Sequence, residues 1–207
     1  MENKDFNKKQ KYYVFLDIDG TLWDASTNFN YYGPNFGHID FPKLSNRSIK
    51  AVNILLSSLE NKFDSKLVIT SERRNELKTC IDYLKHYGLK YDKPIFAIPY
   101  PTKIKRGKDI VDYMKSNGDG PIEYPNKNLF LKMLHSFKNN DYKNYVVLED
   151  MKKLISGYIP KERLIFSNHN KRSVTIKQVE KYLKDNNIEM VLPEEKSSQQ
   201  NLWTSFF

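Results

Sequence analysis

Five short apolar runs alternate with helical patterns along this chain, and this alternation constrains its fold more than any other feature. The runs span residues 12–16, 65–70, 94–98, 144–150 and 163–167. Apolar residues at helical spacing predict helices near residues 48–61, 77–84, 106–114, 129–137 and 174–184. Strands that are apolar on both faces are typical of parallel sheets covered by helices. The pattern therefore predicts an α/β fold with a parallel sheet of about five strands and helices on both faces.

The length of 207 residues indicates one domain with room for small insertions. We assign residues 1–11 to a basic N-terminal tail, 12–192 to the folded domain and 193–207 to a C-terminal tail. A single cysteine, Cys80, leaves no disulfide framework and is expected in the core. The first eleven residues lack the apolar stretch of a signal peptide, and no run is long enough to span a membrane. We expect an intracellular protein, cytoplasmic or nuclear, that is not secreted.

The net charge of +9 has two interpretations. A basic protein attracts polyanions such as nucleic acid. The same charge also follows from a codon bias that enriches Lys together with Asn, Ile, Tyr and Phe. Because the basic residues are spread along the chain, the charge alone does not choose between the two.

The first apolar run ends in two carboxylates, in the stretch VFLDIDGTLWD of residues 14–24. Asp17 and Asp19 are one residue apart, and aspartate is costly to bury unpaired. Ligand crevices of open α/β sheets lie at the carboxyl ends of the strands. Two carboxylates at that position require a cation.

This stretch resembles motif I of the haloacid dehalogenase (HAD) superfamily, whose pattern is DxDGT. The resemblance implies a Rossmann-like fold and an Mg²⁺-dependent phosphohydrolase or phosphotransferase. It makes Asp17 the nucleophile that takes the phosphoryl group and a ligand of Mg²⁺. Asp19 becomes the general acid and base, with its backbone carbonyl as a further metal ligand. Gly20 and Thr21, the turn that completes the motif, are expected at the substrate.

Two further strand ends fit the same template. LVITSERR provides Thr70 and Ser71 for the phosphoryl oxygens, and we choose Ser71 because it precedes the next helix. Thr70 and Arg73 are expected to bind substrate. VVLED places Glu149 and Asp150 where the superfamily usually carries an Asp-Asp pair for the metal. Which of the two contacts the metal stays open.

The basic residue that neutralises the phosphoaspartate also stays open. Its expected place shortly before the fourth strand favours Lys127 or Lys132. The alternative is Arg106 or Lys108 in the stretch RGKDI, and a closer resemblance favours Arg106. We retain Arg106 and Lys132 as candidates.

That closer resemblance is to the HAD-type domain of the Swiss-Army-Knife RNA repair group. It rests on SKLVITSERR, RGKDI, VVLED and SNHNKRSVT, and it covers residues 12 to about 184. This chain departs from the group's pattern because it lacks the Trp that follows the second strand. Residues 117–140 are also longer than the pattern predicts.

Little room exists for the cap domain with which HAD enzymes enclose small substrates. Residues 22–45 are expected to form a flap or minimal cap, and residues 117–126 a short insertion. An open site admits large substrates, so we predict a phosphatase acting on nucleic-acid ends in DNA or RNA repair. The alternatives are a nucleotidase or other small-molecule phosphatase, and a non-catalytic HAD-fold module recruited to a partner. Aromatic residues of the flap could stack bases or simply pin the flap; they are Trp23, Phe29, Tyr31, Tyr32 and Phe36.

The last eight residues, QNLWTSFF, resemble the peptide with which proteins bind sliding clamps. In that mode Trp203, Phe206 and Phe207 enter an apolar pocket, and Gln200 binds beside it. The alternative is a tail that folds back on its own core, because exposed aromatic clusters are disfavoured.

Overall fold

The computed structural model describes residues 9–23, 43–99, 106–116, 144–167 and 173–193. It confirms the predicted fold class, an all-parallel sheet of five strands flanked by helices. The strands are β1 (Lys11–Leu16), β2 (Asp64–Ile69), β3 (Phe96–Ala97), β4 (Tyr145–Glu149) and β5 (Leu164–Phe166). The helices are α1 (Asn46–Lys62), α2 (Leu77–His86), α3 (Arg106–Ser116), α4 (Lys152–Ile155) and α5 (Ile176–Asp185). Two 3-10 helices, Glu72–Glu76 and Lys161–Arg163, precede α2 and β5.

The order of the strands in the sheet is β3-β2-β1-β4-β5. The chain builds outward from β1 to β3, and then returns to place β4 on the other side of β1. In the register, Phe15 of β1 is paired with Val68 of β2 and with Val147 of β4. The switch in direction therefore lies between β1 and β4, and open α/β sheets bind their ligands at such a switch point.

Each face of the sheet has its own apolar core, because successive residues of a strand point to opposite sides. Val14 and Leu16 of β1 pack on the face that carries α1, α2 and α5. Tyr13 and Phe15 pack on the opposite face, against apolar residues of α3 and α4. The buried face of α2 includes Cys80, as predicted. Burial raises the pKa of the Cys80 thiol to about 12, so the thiol stays protonated and inert.

Several element boundaries differ from the sequence-based predictions. The third strand was expected over residues 94–98, but only Phe96 and Ala97 pair with β2. The fourth strand ends at Glu149, so that Asp150 stands beyond it. The helix at the start of the domain is longer than predicted, since Ser45 accepts a hydrogen bond from the Ser48 amide and begins it at Asn46. Neither α4 nor the two 3-10 helices was predicted.

Some predictions fall on parts of the chain outside the described residues. These are the N-terminal tail through residue 8, most of the flap (residues 24–42), the insertion at 117–126, the helix at 129–137 and the tail from 194 with its clamp-like peptide. Among the described residues, no helix has the length and apolar character that crossing a membrane requires.

Candidate functional site

Three buried carboxylates meet where β1 and β4 end. Asp17 follows β1 directly, and its amide donates to the Leu148 carbonyl of β4 at 3.1 Å, which holds the two strand ends together. Glu149 is the last residue of β4, and Asp150 follows it. One carboxylate oxygen from each of Asp17, Glu149 and Asp150 lies within 4.8 Å of the others. The three predicted metal ligands of these strand ends therefore form one cluster at the switch point of the sheet.

Arg106, the first residue of α3, provides a cation to this cluster. Its Nη1 lies 2.6 Å from Oε2 of Glu149 and 3.0 Å from Oδ1 of Asp17. The contact with Glu149 is a hydrogen bond, whereas Oδ1 of Asp17 accepts no well-aligned hydrogen bond from the described residues. Among the residues that the structure describes, this buried oxygen of Asp17 is therefore close to a cation but has no hydrogen-bond donor.

Among the described residues, one guanidinium serves two buried carboxylates of this cluster. Arg106 contacts both Asp17 and Glu149, which leaves one negative charge between these two side chains when both are ionised. Burial, and next the charge of Glu149, raise the pKa of Asp17 well above its ordinary value, although Arg106 acts in the opposite direction. Burial also raises the pKa of Glu149, against the lowering effect of Arg106. Holding Asp17 and Glu149 ionised therefore requires more positive charge than Arg106 supplies.

The cluster has the donor set of a hard divalent cation. Mg²⁺ prefers carboxylate oxygens, usually one or two from the protein, and its positive charge would offset the excess negative charge of Asp17 and Glu149. The buried Oδ1 of Asp17 without a hydrogen-bond donor is consistent with a ligand of this kind. The residues present thus fit a magnesium ion.

Glu149 and Asp150 differ in how they are held. Glu149 accepts the Arg106 hydrogen bond on Oε2, and its Oε1 accepts from the backbone amides of Asp150 and Met151 at 3.2 Å and 3.1 Å. Both Glu149 oxygens are therefore bound within the protein, and the side chain orients Arg106 and the following turn. Asp150 belongs to the same cluster through a carboxylate oxygen that lies within 4.8 Å of those of Asp17 and Glu149.

A second group forms around Asp19, on the more open side of the site. Nε of Arg73 lies 2.8 Å from Oδ1 and 2.9 Å from Oδ2 of Asp19, and its Nη2 lies 2.8 Å from Oδ1. The Ser71 hydroxyl donates to Oδ2 of Asp19 at 3.2 Å. Three of the residues predicted for catalysis or substrate binding thus contact one another.

The turn after β2 continues into a 3-10 helix before α2 begins. Ser71 does not begin α2; its side chain accepts from the Arg73 amide and begins the 3-10 helix that comes before α2. The Thr70 hydroxyl is buried and has no hydrogen-bond partner among the described residues. Arg74 fixes this turn, because its buried Nη1 donates to the carbonyls of Thr70 and Ser71 at 2.9 Å and 2.7 Å.

Backbone contacts hold the turn that follows Asp17. Gly20 has a φ of 72°, in the left-handed region that glycine adopts without strain. Its carbonyl accepts from the Ser167 hydroxyl at 3.2 Å, and the Thr21 carbonyl accepts from the Val174 amide at 2.9 Å. The Thr21 hydroxyl donates to Oδ2 of Asp17 at 3.2 Å. Thr21 therefore orients the Asp17 carboxylate in this structure.

Of the four candidate basic residues, two lie among the described residues, and only one of these two contacts the acidic cluster. Arg106 contacts Asp17, while Lys108 pairs with Asp112 on the exposed side of α3. Lys127 and Lys132 lie outside the described residues. Sequence reasoning missed Arg74, and the only signal for it was the second arginine of SERR.

Comparison of the chain with models of protein families, with curated proteins and with solved structures found no match in any of the three. A function for this site therefore depends on its geometry and on the resemblance of its motifs.

Proposed function

We propose that this protein is an Mg²⁺-dependent phosphohydrolase of the HAD type, which forms an aspartyl phosphate on Asp17 and acts on phosphorylated nucleic-acid ends. The observation that carries the proposal is the contact of Arg106 with Asp17 inside a buried acidic cluster at the switch point of the sheet. A structural ion pair needs one carboxylate for one guanidinium, whereas Arg106 contacts two buried carboxylates, Asp17 and Glu149. A divalent cation at this site would offset their excess negative charge and the charge of a bound phosphate group.

The reaction takes place in two displacements on phosphorus. In the first, a carboxylate oxygen of Asp17 attacks the phosphorus atom, the bond to the leaving oxygen breaks, and Asp19 gives that oxygen a proton. In the second, water attacks the same phosphorus, Asp19 takes the proton of the water, and the Asp17 carboxylate is released with inorganic phosphate. Asp19 thus ends each cycle in the protonation state in which it began.

The metal would be held by Asp17, Asp150 and the backbone carbonyl of Asp19, where it would screen the repulsion between a carboxylate and a phosphate. Arg106 neutralises part of the negative charge of Asp17 and Glu149, because its Nη1 contacts both carboxylates. Thr21 orients the carboxylate of Asp17 through the hydrogen bond to Oδ2. These contacts hold the nucleophile in place before the substrate arrives.

The phosphate would bind between the turn after β2 and the acidic cluster. The buried Thr70 hydroxyl is a donor with no partner among the described residues, and phosphoryl oxygens are acceptors. Arg73 supplies a guanidinium, which matches phosphate through two parallel hydrogen bonds. A net charge of +9 would also attract a polyanionic substrate such as nucleic acid.

A panel of phosphorylated substrates tests this function. We expect wild-type protein with Mg²⁺ to release phosphate from a 3′-phosphorylated oligonucleotide faster than from free mononucleotides. Chelation of the metal and Asp17→Asn should each abolish release. Turnover of mononucleotides alone would indicate a nucleotidase, and no turnover of any substrate would favour a binding module that keeps the fold without the chemistry.

A further inference from the structure

Both oxygens of the Asp19 carboxylate are engaged in the free protein. Oδ1 contacts Nε and Nη2 of Arg73, and Oδ2 contacts the same Nε and the Ser71 hydroxyl. Under the proposed function, Asp19 must exchange a proton with an oxygen of the substrate and then with water. Asp19 therefore has to leave the Arg73 guanidinium and take up a proton from the solvent before it can donate one.

The position of the pair allows it to open. The Asp19 side chain is 38% exposed and that of Arg73 is 19% exposed, so water can solvate both groups when they separate. Water screens ion pairs at partly exposed positions, so they are weaker than ion pairs between buried groups. This pair therefore differs from the Arg106 pair beside it, whose partners Asp17 and Glu149 are almost fully buried.

The main chain of Arg73 can stay in place while its side chain moves. The Arg73 amide donates to the buried Ser71 hydroxyl oxygen at 3.4 Å. Arg74 holds the Thr70 and Ser71 carbonyls of the same turn. Rotation of the Arg73 side chain thus needs no change in the backbone of the turn.

A phosphate group competes with Asp19 for this guanidinium. Phosphate monoesters carry more negative charge than a carboxylate and offer three acceptor oxygens to the two-pronged donor face of arginine. The Arg73 side chain has two states, paired with Asp19 or turned away from it. A ligand shifts the equilibrium between them only if it binds more tightly to one of the two states. A phosphorylated end has this differential affinity for Arg73, and an end without phosphate lacks it.

We propose that the Asp19–Arg73 pair is a latch, which opens when the phosphate group of the substrate draws Arg73 away from Asp19. The latch rests on the proposed function, and it would regulate the access of substrate to Asp19 at the same site. The latch would make the proton-transferring carboxylate available only when a phosphate is bound. Ends that lack a phosphate would leave Asp19 bound to Arg73.

A double-mutant cycle on the affinity for tungstate, a phosphate analogue, tests the latch by calorimetry with Mg²⁺ present. The four proteins are wild type, Asp19→Asn, Arg73→Gln and the double variant. If tungstate must break the pair, Asp19→Asn removes that cost only where Arg73 is present. We expect the gain in affinity from Asp19→Asn to be about tenfold larger with Arg73 than in the Arg73→Gln background.

The alternative is that Arg73 stays on Asp19 when the anion binds. Asp19→Asn then removes only a repulsive charge, and this charge repels more strongly once Arg73 is gone. An equal or larger gain in the Arg73→Gln background would therefore overturn the latch. Arg73→Met, which removes the charge but keeps a long side chain, provides a second background in case Arg73→Gln does not fold.

Glu72→Gln is the matched control, because it removes an exposed negative charge from the same 3-10 helix. We expect it to change the affinity for tungstate less than about twofold. Failure of wild-type protein to bind tungstate would contradict the proposed function together with the latch. Tungstate binding that inhibits phosphate release, but without the expected coupling, would overturn the latch alone.

Discussion

The Nη1 of Arg106 lies 3.0 Å from Oδ1 of Asp17, although Asp17 follows the central strand and Arg106 begins a helix on one face of the sheet. The same nitrogen contacts Glu149 at 2.6 Å. One arginine therefore bridges the ends of β1 and β4 at the switch point. Asp17 and Glu149 are buried, so the bridge acts in an environment where charges interact strongly.

Arg106→Gln should destabilise the protein strongly, because it leaves Asp17 and Glu149 side by side without their cation. Breaking a buried ion pair by removing one partner costs about 3–5 kcal/mol, and we expect a loss of this size in the free energy of unfolding. Urea unfolding at neutral pH without divalent metal measures it. Added Mg²⁺ should recover part of the loss, since it binds the folded state at the same carboxylates.

Lys108→Gln is the control for the Arg106 variant, because it breaks an exposed pair with Asp112 on the same helix. Exposed helix pairs contribute about 0.3–0.5 kcal/mol, so its effect on unfolding should be small and independent of Mg²⁺. Equal losses for the two variants would show that Arg106 is an ordinary surface charge.

Gly107→Ala should disturb the site through packing rather than charge. A Cβ at this position would lie 2.7 Å from Cβ of Tyr158 and 3.0 Å from Cα of Ile155, so α3 would have to move away from α4. Overpacking of this kind costs about 1–3 kcal/mol. We expect a lower unfolding free energy and slower phosphate release, because Arg106 is the neighbouring residue. An unchanged unfolding free energy together with an unchanged rate of phosphate release would mean that α3 and α4 do not approach each other closely.

Thr70→Val and Ser71→Ala separate the two candidates for binding the phosphoryl group. The Thr70 hydroxyl has no partner among the described residues, so its replacement by a methyl group should leave stability unchanged or raise it by up to about 1 kcal/mol. Phosphate release should nevertheless fall about 100- to 1,000-fold if this hydroxyl binds the transferred group. Ser71→Ala should lower stability, since it removes the hydrogen bonds to Asp19 and from the Arg73 amide. The prediction is wrong if Thr70→Val retains full activity.

The sheet and the acidic cluster of the site, formed by Asp17, Glu149 and Asp150, could be predicted from sequence. The strands β1, β2 and β4 are apolar on both faces, and the carboxyl ends of neighbouring parallel strands meet at one edge. The length of β3 was overestimated, because Ile95 and Ile98 are apolar and buried and so fit a strand pattern. Membership of a strand depends instead on backbone pairing. Pro94 cannot donate to a strand ladder, and only Phe96 and Ala97 pair with β2.

The basic residue that contacts Asp17 could not be identified from sequence. Four candidates, Arg106, Lys108, Lys127 and Lys132, satisfied the pattern in different ways. Which side chain reaches Asp17 depends on how α3 packs, and the absence of a side chain at Gly107 lets it approach α4. The role of Arg74 was missed for a similar reason, because its contacts are with backbone carbonyls that leave no side-chain pattern.

Alkaline pH should destabilise the protein through its buried tyrosines. The hydroxyls of Tyr12 and Tyr182 are 2.6 Å apart, and burial is the main cause that raises the pKa of each. Below pH of about 10 both are protonated in the folded and unfolded states, so they cause no pH dependence. Above it the unfolded chain releases protons that the folded protein retains, and stability falls as pH rises.

Tyr182→Phe tests this dependence by urea unfolding between pH 8 and pH 11. The variant should lose about 1 kcal/mol or more at pH 8, because it removes the hydrogen bonds of the Tyr182 hydroxyl with Tyr12 and with the Tyr145 carbonyl. Its stability should then fall less steeply above pH 10, by up to about 1.4 kcal/mol per pH unit. Parallel curves for the two proteins would show that Tyr182 does not cause the decline.

The covalent state of Asp17 during turnover tests the central claim most directly. Borohydride reduces an aspartyl phosphate to homoserine, which peptide mass analysis locates in the chain. With Mg²⁺ and a 3′-phosphorylated oligonucleotide, wild-type protein quenched during turnover should carry homoserine at position 17. Chelation of the metal should remove this signal. Steady phosphate release with an unmodified aspartate at position 17, or equal release by Asp17→Asn, would contradict the account.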